Sequence, residues 1–97
     1  MPATVHVLAR FLARPGREAE LAPVLTALIR PTRREIGCYQ YDLLVNPADA
    51  RDFCFVERWE DDAALDEHLA TEHVRVALER SAELIEAPPD VRRYRLL

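Results

Sequence analysis

The chain has 97 residues, of which 49% are hydrophobic and 31% charged, and its formal net charge at pH 7 is −4. Chains of this length rarely divide, so we expect a single domain over residues 1–97. An acidic surface repels polyanions, which argues against binding to nucleic acid or to anionic membranes.

No window approaches the ~20 apolar residues that a membrane span needs, and the N-terminal segment has no basic leader before a long apolar stretch. We therefore expect a cytoplasmic protein. The two cysteines, Cys38 and Cys54, fit a reducing compartment. They stand several rungs out of register on the hairpin predicted below, so no disulfide is expected. Neither has a second Cys or His at ligand spacing, so they predict no metal site.

The first third of the chain predicts a strand followed by a helix. Residues 4–14 alternate between two sides, as in a half-buried strand, and Pro15-Gly16 ends it. Apolar residues then recur at spacings of three and four, and they form one helical face of Leu21, Val24, Leu25, Leu28 and Ile29. Pro23 and Pro31 predict a kink or an irregular end, because each removes a backbone donor.

The middle of the chain predicts a β-hairpin. Residues 38–45 and 52–59 alternate in the pattern of strands, and the Asn46 to Asp49 segment between them has turn chemistry. Tyr39 and Tyr41 fall on one side of the first of these strands. Phe53, Phe55, Glu57 and Trp59 share one side of the second.

Two helices and a last strand follow. Asp61 or Asp62 is predicted to cap a short helix whose inner face is Leu65, His68 and Leu69. Thr71 is predicted to cap another helix, which buries Val74, Ala77, Leu78 and Ile85. Pro88-Pro89 would end it before a strand over residues 91–97. The order βαββααβ predicts an α+β ferredoxin-like fold, with helices on one face of an antiparallel sheet.

The other face of the sheet mixes apolar and charged residues: Leu8, Leu12, Leu44, Cys54 and Val56 with Arg10, Gln40, Asp42 and Arg58. We interpret it as the interface of a homodimer in which two sheets face each other. Arg10, Asp42 and Arg58 would pair in or around that interface. The alternative is a solvated face with scattered apolar residues.

Four segments together resemble the antibiotic biosynthesis monooxygenase (ABM) superfamily over nearly the whole chain. They are Arg10-Phe11 with Pro15-Gly16, Glu35-Ile36-Gly37-Cys38 with Tyr41, Phe55-Val56-Glu57-Arg58-Trp59, and Ala64 to Leu69 with His73. The resemblance implies a dimeric α/β barrel. Known members include cofactor-independent monooxygenases of quinols or polycyclic phenols, haem-degrading enzymes, and an isomerase of a phosphorylated signal sugar, so the fold leaves the reaction open.

The haem-degrading branch fits this chain poorly. In an ungapped alignment its iron-binding histidine falls at about Leu78 and its first-strand asparagine at about Ala9, and neither side chain can replace the group that is lost. His68 stands where those enzymes carry a tryptophan. Haem degradation is therefore disfavoured.

His68 is the candidate catalytic residue, since an imidazole with a pKa near ~6.5 can accept a proton at neutral pH. The alternative is a core histidine bonded to a backbone carbonyl. Trp59 could stack on a planar substrate or serve as a core anchor. Glu57, on an aromatic strand face, must be paired, hydrogen-bonded or neutral if buried; it could orient a histidine or cap a helix. Tyr41 offers a phenol to a quinone-like oxygen.

Phe55, Leu65 and His73 complete the predicted substrate site, although His73 could equally lie at the surface. No metal site is predicted, because His68 and His73 are five residues apart across a helix break and His6 faces away. No cofactor is predicted either, since the chain has only two glycines and no phosphate-binding loop.

The leading hypothesis is a cofactor-independent monooxygenase that oxidises a quinol or an electron-rich polycyclic phenol with O2. In it, His68 accepts the phenolic proton while Trp59 and Tyr41 position the ring. The alternatives are an isomerase of a small oxygenated metabolite, for which a phosphorylated substrate would call for arginines at the pocket mouth, and a non-catalytic dimer that binds a small aromatic ligand.

Overall fold

The computed structural model describes residues 3–97; Met1 and Pro2, with which the predicted domain begins, lie outside the described residues. The elements follow the chain in the order β1 (Val5–Leu12), α1 (Glu18–Thr26), α2 (Ile29–Arg33), β2 (Cys38–Asn46), β3 (Asp49–Trp59), α3 (Asp62–Leu69), α4 (Glu72–Ser81) and β4 (Asp90–Tyr94). The strands form one antiparallel sheet in the order β2-β3-β1-β4. The predicted ferredoxin-like α+β fold is confirmed.

The core lies between one face of the sheet and the helices. Alternation along β1 sends every second residue inward: Val5, Val7, Ala9 and Phe11. The helices bury their apolar faces on the same side through Leu21, Leu25, Leu65, Val74 and Ala77. A strand residue that points inward therefore faces a helix, which is the geometry that a pocket between the two layers requires.

The predicted hairpin is present as β2 and β3. Asn46 pairs with Asp49, and the Asn46 side-chain oxygen accepts the Ala48 N–H at 2.9 Å, which closes the turn. Cys38 lies opposite Trp59 and Cys54 opposite Leu44, so the two cysteines are far out of register. Both are free, as predicted.

The predicted first helix is wrong in one respect, because it is two helices with a break at residues 27–28. Pro31 explains the break: it has no N–H to donate to the Ala27 carbonyl four residues earlier, and its ring crowds that carbonyl. Among residues 3–97, no helix is both long and apolar enough to cross a bilayer.

The caps of α3 and α4 are those that the sequence predicts. The Asp61 side chain accepts the Ala64 N–H at 2.9 Å, and the Thr71 hydroxyl accepts the Val74 N–H at 3.4 Å. These bonds fix where each helix begins. The chain after α4 differs from prediction: α4 ends before Ile85, which is buried and pairs with Ala13, and the last strand ends at Tyr94.

The outer face of the sheet is not covered by any helix in the described part of the chain. Leu8 and Leu44 are 42% and 53% exposed there, and Leu12, Cys54 and Val56 are half-buried. The face is therefore partly apolar and open to contact, as the sequence predicts.

The charged residues of this face already have partners in their own chain. Arg10 bonds Asp52 at 2.7 Å, and Asp42 bonds Arg33 at 3.0 Å. Arg58 lies over the ring of Tyr39. The predicted pairing is thus not needed to neutralise Arg10 and Asp42.

Candidate functional site

An apolar cavity of about 100 Å³ lies between the inner face of the sheet and helices α3 and α4. Three polar side chains line it, Tyr41, Glu57 and His68, and the rest of its wall is hydrocarbon or aromatic. Mostly apolar walls with a few polar groups are typical of small-molecule sites. Phe55 and Leu65 also line the cavity, so five of the seven predicted site residues meet there.

His68 is carried on the inner side of α3 and is 3% exposed. Its ring lies against the ring of Trp59, with centroids 4.6 Å apart, and meets the edge of Tyr41 at 5.5 Å. The alternative of a core histidine bonded to a backbone carbonyl does not apply, because its ring hydrogen bond goes to a side chain. The packing leaves the imidazole little freedom to rotate.

Glu35 holds both histidines of this region. Its Oε2 atom lies 2.7 Å from Nδ1 of His68 and 2.8 Å from Nε2 of His73. A carboxylate can only accept, so both contacting nitrogens carry hydrogen. His68 is therefore the Nδ1–H tautomer, and its Nε2 keeps a lone pair. No hydrogen bond to that Nε2 is made by residues 3–97.

Glu35 was not predicted as a site residue, and the two histidines, which were predicted to lie apart, meet at its carboxylate. The break between α3 and α4 turns the chain so that both rings point toward the same carboxylate, with centroids 6.0 Å apart. One donor atom from each of Glu35, His68 and His73 lies within 4.8 Å of the others, an arrangement that could hold a divalent cation. His73 itself is half-buried and does not line the cavity.

The pKa of His68 is lowered from its ordinary value. Burial is the main cause, because it disfavours the charged imidazolium, and His73 adds a small effect in the same direction. The bond to Glu35 and its negative charge oppose this shift. His68 is consequently neutral at physiological pH and able to accept a proton.

Gly37 explains how Glu35 comes so close to α3. The turn between α2 and β2 requires a left-handed backbone at Gly37, with φ of 86°. A Cβ at this position would lie 2.8 Å from the Cβ of Ala64 in α3. The turn can therefore press against the start of the helix that carries His68, and its carbonyl accepts the Glu60 N–H at 2.8 Å.

Glu57 is a buried acid in the floor of the cavity, 5% exposed. Its Oε1 accepts the indole N–H of Trp59 at 2.9 Å, so it neither orients a histidine nor caps a helix. Burial raises its pKa to about 7; the nearby Glu35 charge adds to the shift, and the indole N–H opposes it.

Trp59 is fully buried and does not line the cavity, and of the two roles predicted for it this burial agrees with that of a core anchor. It lies two residues beyond Glu57 on β3, where it contacts two of the three polar side chains that line the cavity. Its ring supports His68 and its N–H bonds Glu57. Trp59 thus positions other residues, in addition to anchoring the core.

Tyr41 and Tyr39 do not share a face of β2. The register shifts between Cys38 and Gln40, which is a β-bulge, and it turns Tyr39 outward to 52% exposure. Tyr41 remains inside, 3% exposed, with its ring stacked on Phe55 at 4.8 Å. Burial raises its pKa, so its hydroxyl stays protonated.

The mouth of the cavity is formed by one residue from each of three elements. Leu69 of α3, Leu78 of α4 and Val91 of β4 line it and are 44%, 45% and 47% exposed. Leu69 lines the cavity from the inner face of α3, as predicted, whereas the prediction that Leu78 is buried is wrong. Ala9 and Leu78, the positions of the missing haem-site groups, both belong to the wall.

A wider open groove of about 520 Å³ lies between the starts of β1 and α3 and the end of β4. Arg93 lines it, and the Arg93 guanidinium already donates to Asp62 at 2.9 Å and to Asp66 at 2.8 Å. We assign the site to the smaller cavity, because it is more enclosed and contains the buried imidazole and the buried acid.

Comparison with known proteins identifies the family of this chain. The family model described as "Antibiotic biosynthesis monooxygenase" matches residues 4–80. The chain belongs to the antibiotic biosynthesis monooxygenase family. The matched segment of this chain, residues 4–80, contains Glu35 and all three polar residues that line the cavity.

Two bacterial relatives carry monooxygenase names. "Putative monooxygenase Rv0793" of Mycobacterium tuberculosis is 39% identical over 88 residues, which are 91% of this chain and 86% of that protein. "Putative monooxygenase YcnE" of Bacillus subtilis is 32% identical over 83 residues, 86% of this chain and 87% of that protein.

Solved structures share the fold over almost the full length. PA3566 from Pseudomonas aeruginosa is 34% identical and superposes with a TM-score of 0.93 over 100% of this chain and 97% of its own. The Rv0793 structure has a TM-score of 0.91 and covers 98% of this chain and 96% of its own.

Proposed function

We propose that this protein is a cofactor-independent monooxygenase that oxidises a quinol or an electron-rich polycyclic phenol with O2. The observation that carries the proposal is the environment of His68: a buried imidazole in the wall of an apolar cavity, with Nδ1 held by Glu35 and the Nε2 lone pair uncommitted. A base that a third group orients is the usual arrangement for proton abstraction. Family membership and the monooxygenase names of relatives support the class of reaction.

In this mechanism, His68 Nε2 takes the proton of the substrate hydroxyl. Glu35 stabilises the imidazolium that forms, because its carboxylate lies 2.7 Å from Nδ1. Nε2 of His73 donates a hydrogen bond to the same carboxylate oxygen and keeps it in place. The substrate anion is electron-rich and gives electrons to O2, so the substrate itself is the reductant and the protein needs only to bind, deprotonate and exclude water.

The apolar wall favours a flat aromatic substrate. Tyr41 and Phe55 form a stacked pair in the floor, and Leu65 closes the helical side. The cavity is smaller than the ~300 Å³ at the low end of ligand sites. A ring system of two or three rings would therefore extend over the exposed mouth residues Leu69, Leu78 and Val91 and bury them.

The isomerase alternative has less support when its substrate is phosphorylated. No arginine or lysine lines the cavity among residues 3–97, and phosphate binding calls for such groups. A non-catalytic dimer that binds an aromatic ligand is compatible with the apolar wall, but such binding has no use for a histidine held by a carboxylate.

The outer face of the sheet supports the proposal of a homodimer. Its exposed leucines would be covered by the same face of a second copy, and its ion pairs would form a polar border. Light scattering at micromolar concentration tests this. A dimeric mass is expected, and a monomeric mass would contradict it.

Oxygen uptake with anthrone and with a panel of quinols tests the function. The wild type should consume O2 above the uncatalysed background, and His68→Ala should lower kcat by at least about 10²-fold, the usual contribution of a general base. Quenching of intrinsic fluorescence by anthraquinone should show that the variant still binds. If the wild type binds anthraquinone but consumes no oxygen, the protein is the non-catalytic dimer that binds an aromatic ligand.

A further inference from the structure

Glu57 is a carboxyl group in the cavity that the mechanism above does not use. It lies on the central strand β3, between Val7 of β1 and Tyr41 of β2, and projects into the floor. Only the indole N–H of Trp59 bonds it among the described residues, and it forms no ion pair there with a lysine, arginine or histidine. A buried carboxylate without a cation is costly, so this environment favours the neutral acid.

The neutral acid has a hydrogen that the protein does not use. Oε1 is occupied by Trp59, and no residue in the described range bonds Oε2. An O–H on Oε2 is therefore free to bond a molecule in the cavity. His68 stands in the helical wall of the same cavity with a lone pair on Nε2. The cavity thus has an acid in its floor and a base in its wall, and Trp59 supports both.

We propose that Glu57 is the proton donor of this site and that it protonates the peroxide formed when O2 adds to the deprotonated substrate. This inference rests on the proposed function and adds a second catalytic residue to it. The step requires a substrate whose reacting ring carbon carries two hydrogens, as in anthrone, because both leave that carbon as protons.

The proton and electron balance closes within the site. His68 removes one proton from the substrate, and O2 adds at the resulting carbanion to give a peroxide anion. Glu57 gives its proton to the terminal peroxide oxygen. The Glu57 carboxylate then takes the second hydrogen of the same carbon as a proton, the C=O bond forms and the O–O bond breaks. The hydroxide that leaves takes the proton from His68 and becomes water. One oxygen atom enters the product, and the four electrons come from the two C–H bonds.

Other titratable groups around Glu57 do not obscure its titration. Cys38 and Tyr41 of β2 face it, but burial raises the pKa of Cys38 to about 11 and also raises that of Tyr41. Burial likewise raises the pKa of Cys54 in β3. Glu35 acts on Glu57 through its negative charge. His68 has a lowered pKa and so titrates on the acid side.

Glu57→Gln tests the inference, because glutamine keeps the size and an oxygen for the Trp59 N–H but cannot deliver a proton. With anthrone as substrate, kcat should fall about 10²-fold or more while KM changes little. The wild-type profile of kcat against pH should decline above about 7, where Glu57 ionises, and the variant should lose this decline. Glu60→Gln, an exposed carboxylate near the end of the same strand, is the matched control and should behave as wild type.

Three outcomes overturn the inference. An active wild type with an unchanged kcat in Glu57→Gln shows that Glu57 gives no proton and leaves the His68 mechanism standing. A decline at alkaline pH that persists in the variant assigns that titration to another group. If the wild type consumes no oxygen, no peroxide forms, and both this inference and the proposed function are wrong. Anthraquinone binding by the variant shows that a lower kcat does not come from misfolding.

Discussion

His68 and His73 bind the same oxygen of Glu35, at 2.7 Å from Nδ1 of the first and 2.8 Å from Nε2 of the second. The carboxylate comes from the turn before β2, and the histidines come from two successive helices. Three separate segments are thereby joined at one atom. This contact leaves Nε2 as the ring nitrogen of His68 with a lone pair, so in the proposed function activity should depend on Glu35 although Glu35 does not line the cavity.

Replacement of Glu35 should show this dependence. In Glu35→Gln the charge that stabilises the imidazolium is lost, and kcat should fall by about 10²-fold. The bond and charge of Glu35 oppose the lowering of the His68 pKa, so their removal should lower that pKa further. The acid limb of the pH profile, which lies below 6.5 in the wild type, should therefore move to lower pH. An acid limb that moves to higher pH would contradict the assignment of His68 as the base.

Glu57 should make the protein less stable as pH rises. Its pKa is about 7 in the folded protein against an ordinary 4.5, so the unfolded chain releases its proton first between these values. At about 1.4 kcal/mol per pH unit, the free energy of unfolding should lose at most about 3 kcal/mol by pH 7 and no more above it. Urea unfolding of wild type and Glu57→Gln at pH 4.5 and 8 measures the difference. Relative to the wild type, the variant should be more stable at pH 8 than at pH 4.5. If the free energies of unfolding of variant and wild type differ by the same amount at both pH values, Glu57 does not titrate as described.

The two glycines offer a matched pair. Both have positive φ, 79° at Gly16 and 86° at Gly37, so alanine strains the backbone at either. A Cβ at Gly16 meets nothing within 4 Å, whereas one at Gly37 collides with Ala64. Gly16→Ala should lower the free energy of unfolding by about 1 kcal/mol, and Gly37→Ala by roughly 2 to 4 kcal/mol. Only the second should also lower kcat, because it displaces Glu35. Equal losses in both variants would show that the turn does not press on α3.

Metal removal distinguishes two uses of the same three side chains. Glu35, His68 and His73 have donor atoms close enough for a divalent cation, yet the proposed chemistry takes its electrons from the substrate. Dialysis against EDTA, followed by oxygen uptake and elemental analysis, should leave kcat unchanged. A loss of activity that added Fe²⁺, Mn²⁺ or Zn²⁺ restores would replace the hydrogen-bond role of Glu35 with a metal-binding role.

The fold was predictable because its signals are local. The caps at Asp61 and Thr71 and the turn after Asn46 depend on residues within a few positions of one another, and all three are present. The helix break was only half predicted: Pro31 was recognised as a disturbance, but its effect falls four residues earlier, at Ala27.

The site was predictable only in part, because its decisive contact is not local. His68 could be placed on an inner helix face, but its partner Glu35 is 33 residues away in a turn, and no spacing rule connects them. Strict alternation also predicted that Tyr39 and Tyr41 lie on the same face of the strand. The β-bulge that separates them leaves no mark in the pattern of residues, so the sequence could not reveal it. Trp59 was assigned to a substrate because it shares a strand face with Glu57, yet it lies beyond the reach of the cavity.

The three mouth residues, Leu69, Leu78 and Val91, are different side chains from those that would move protons in the proposed mechanism, although Leu69 directly follows His68 in the chain. Each stands on a different element, half in solvent, and none bonds His68, Glu35 or Glu57. In the proposed function, the choice of substrate would therefore depend on other side chains than those that carry the chemistry. Combinatorial libraries confined to codons 69, 78 and 91 should retarget the scaffold to new ring systems without rebuilding its chemistry.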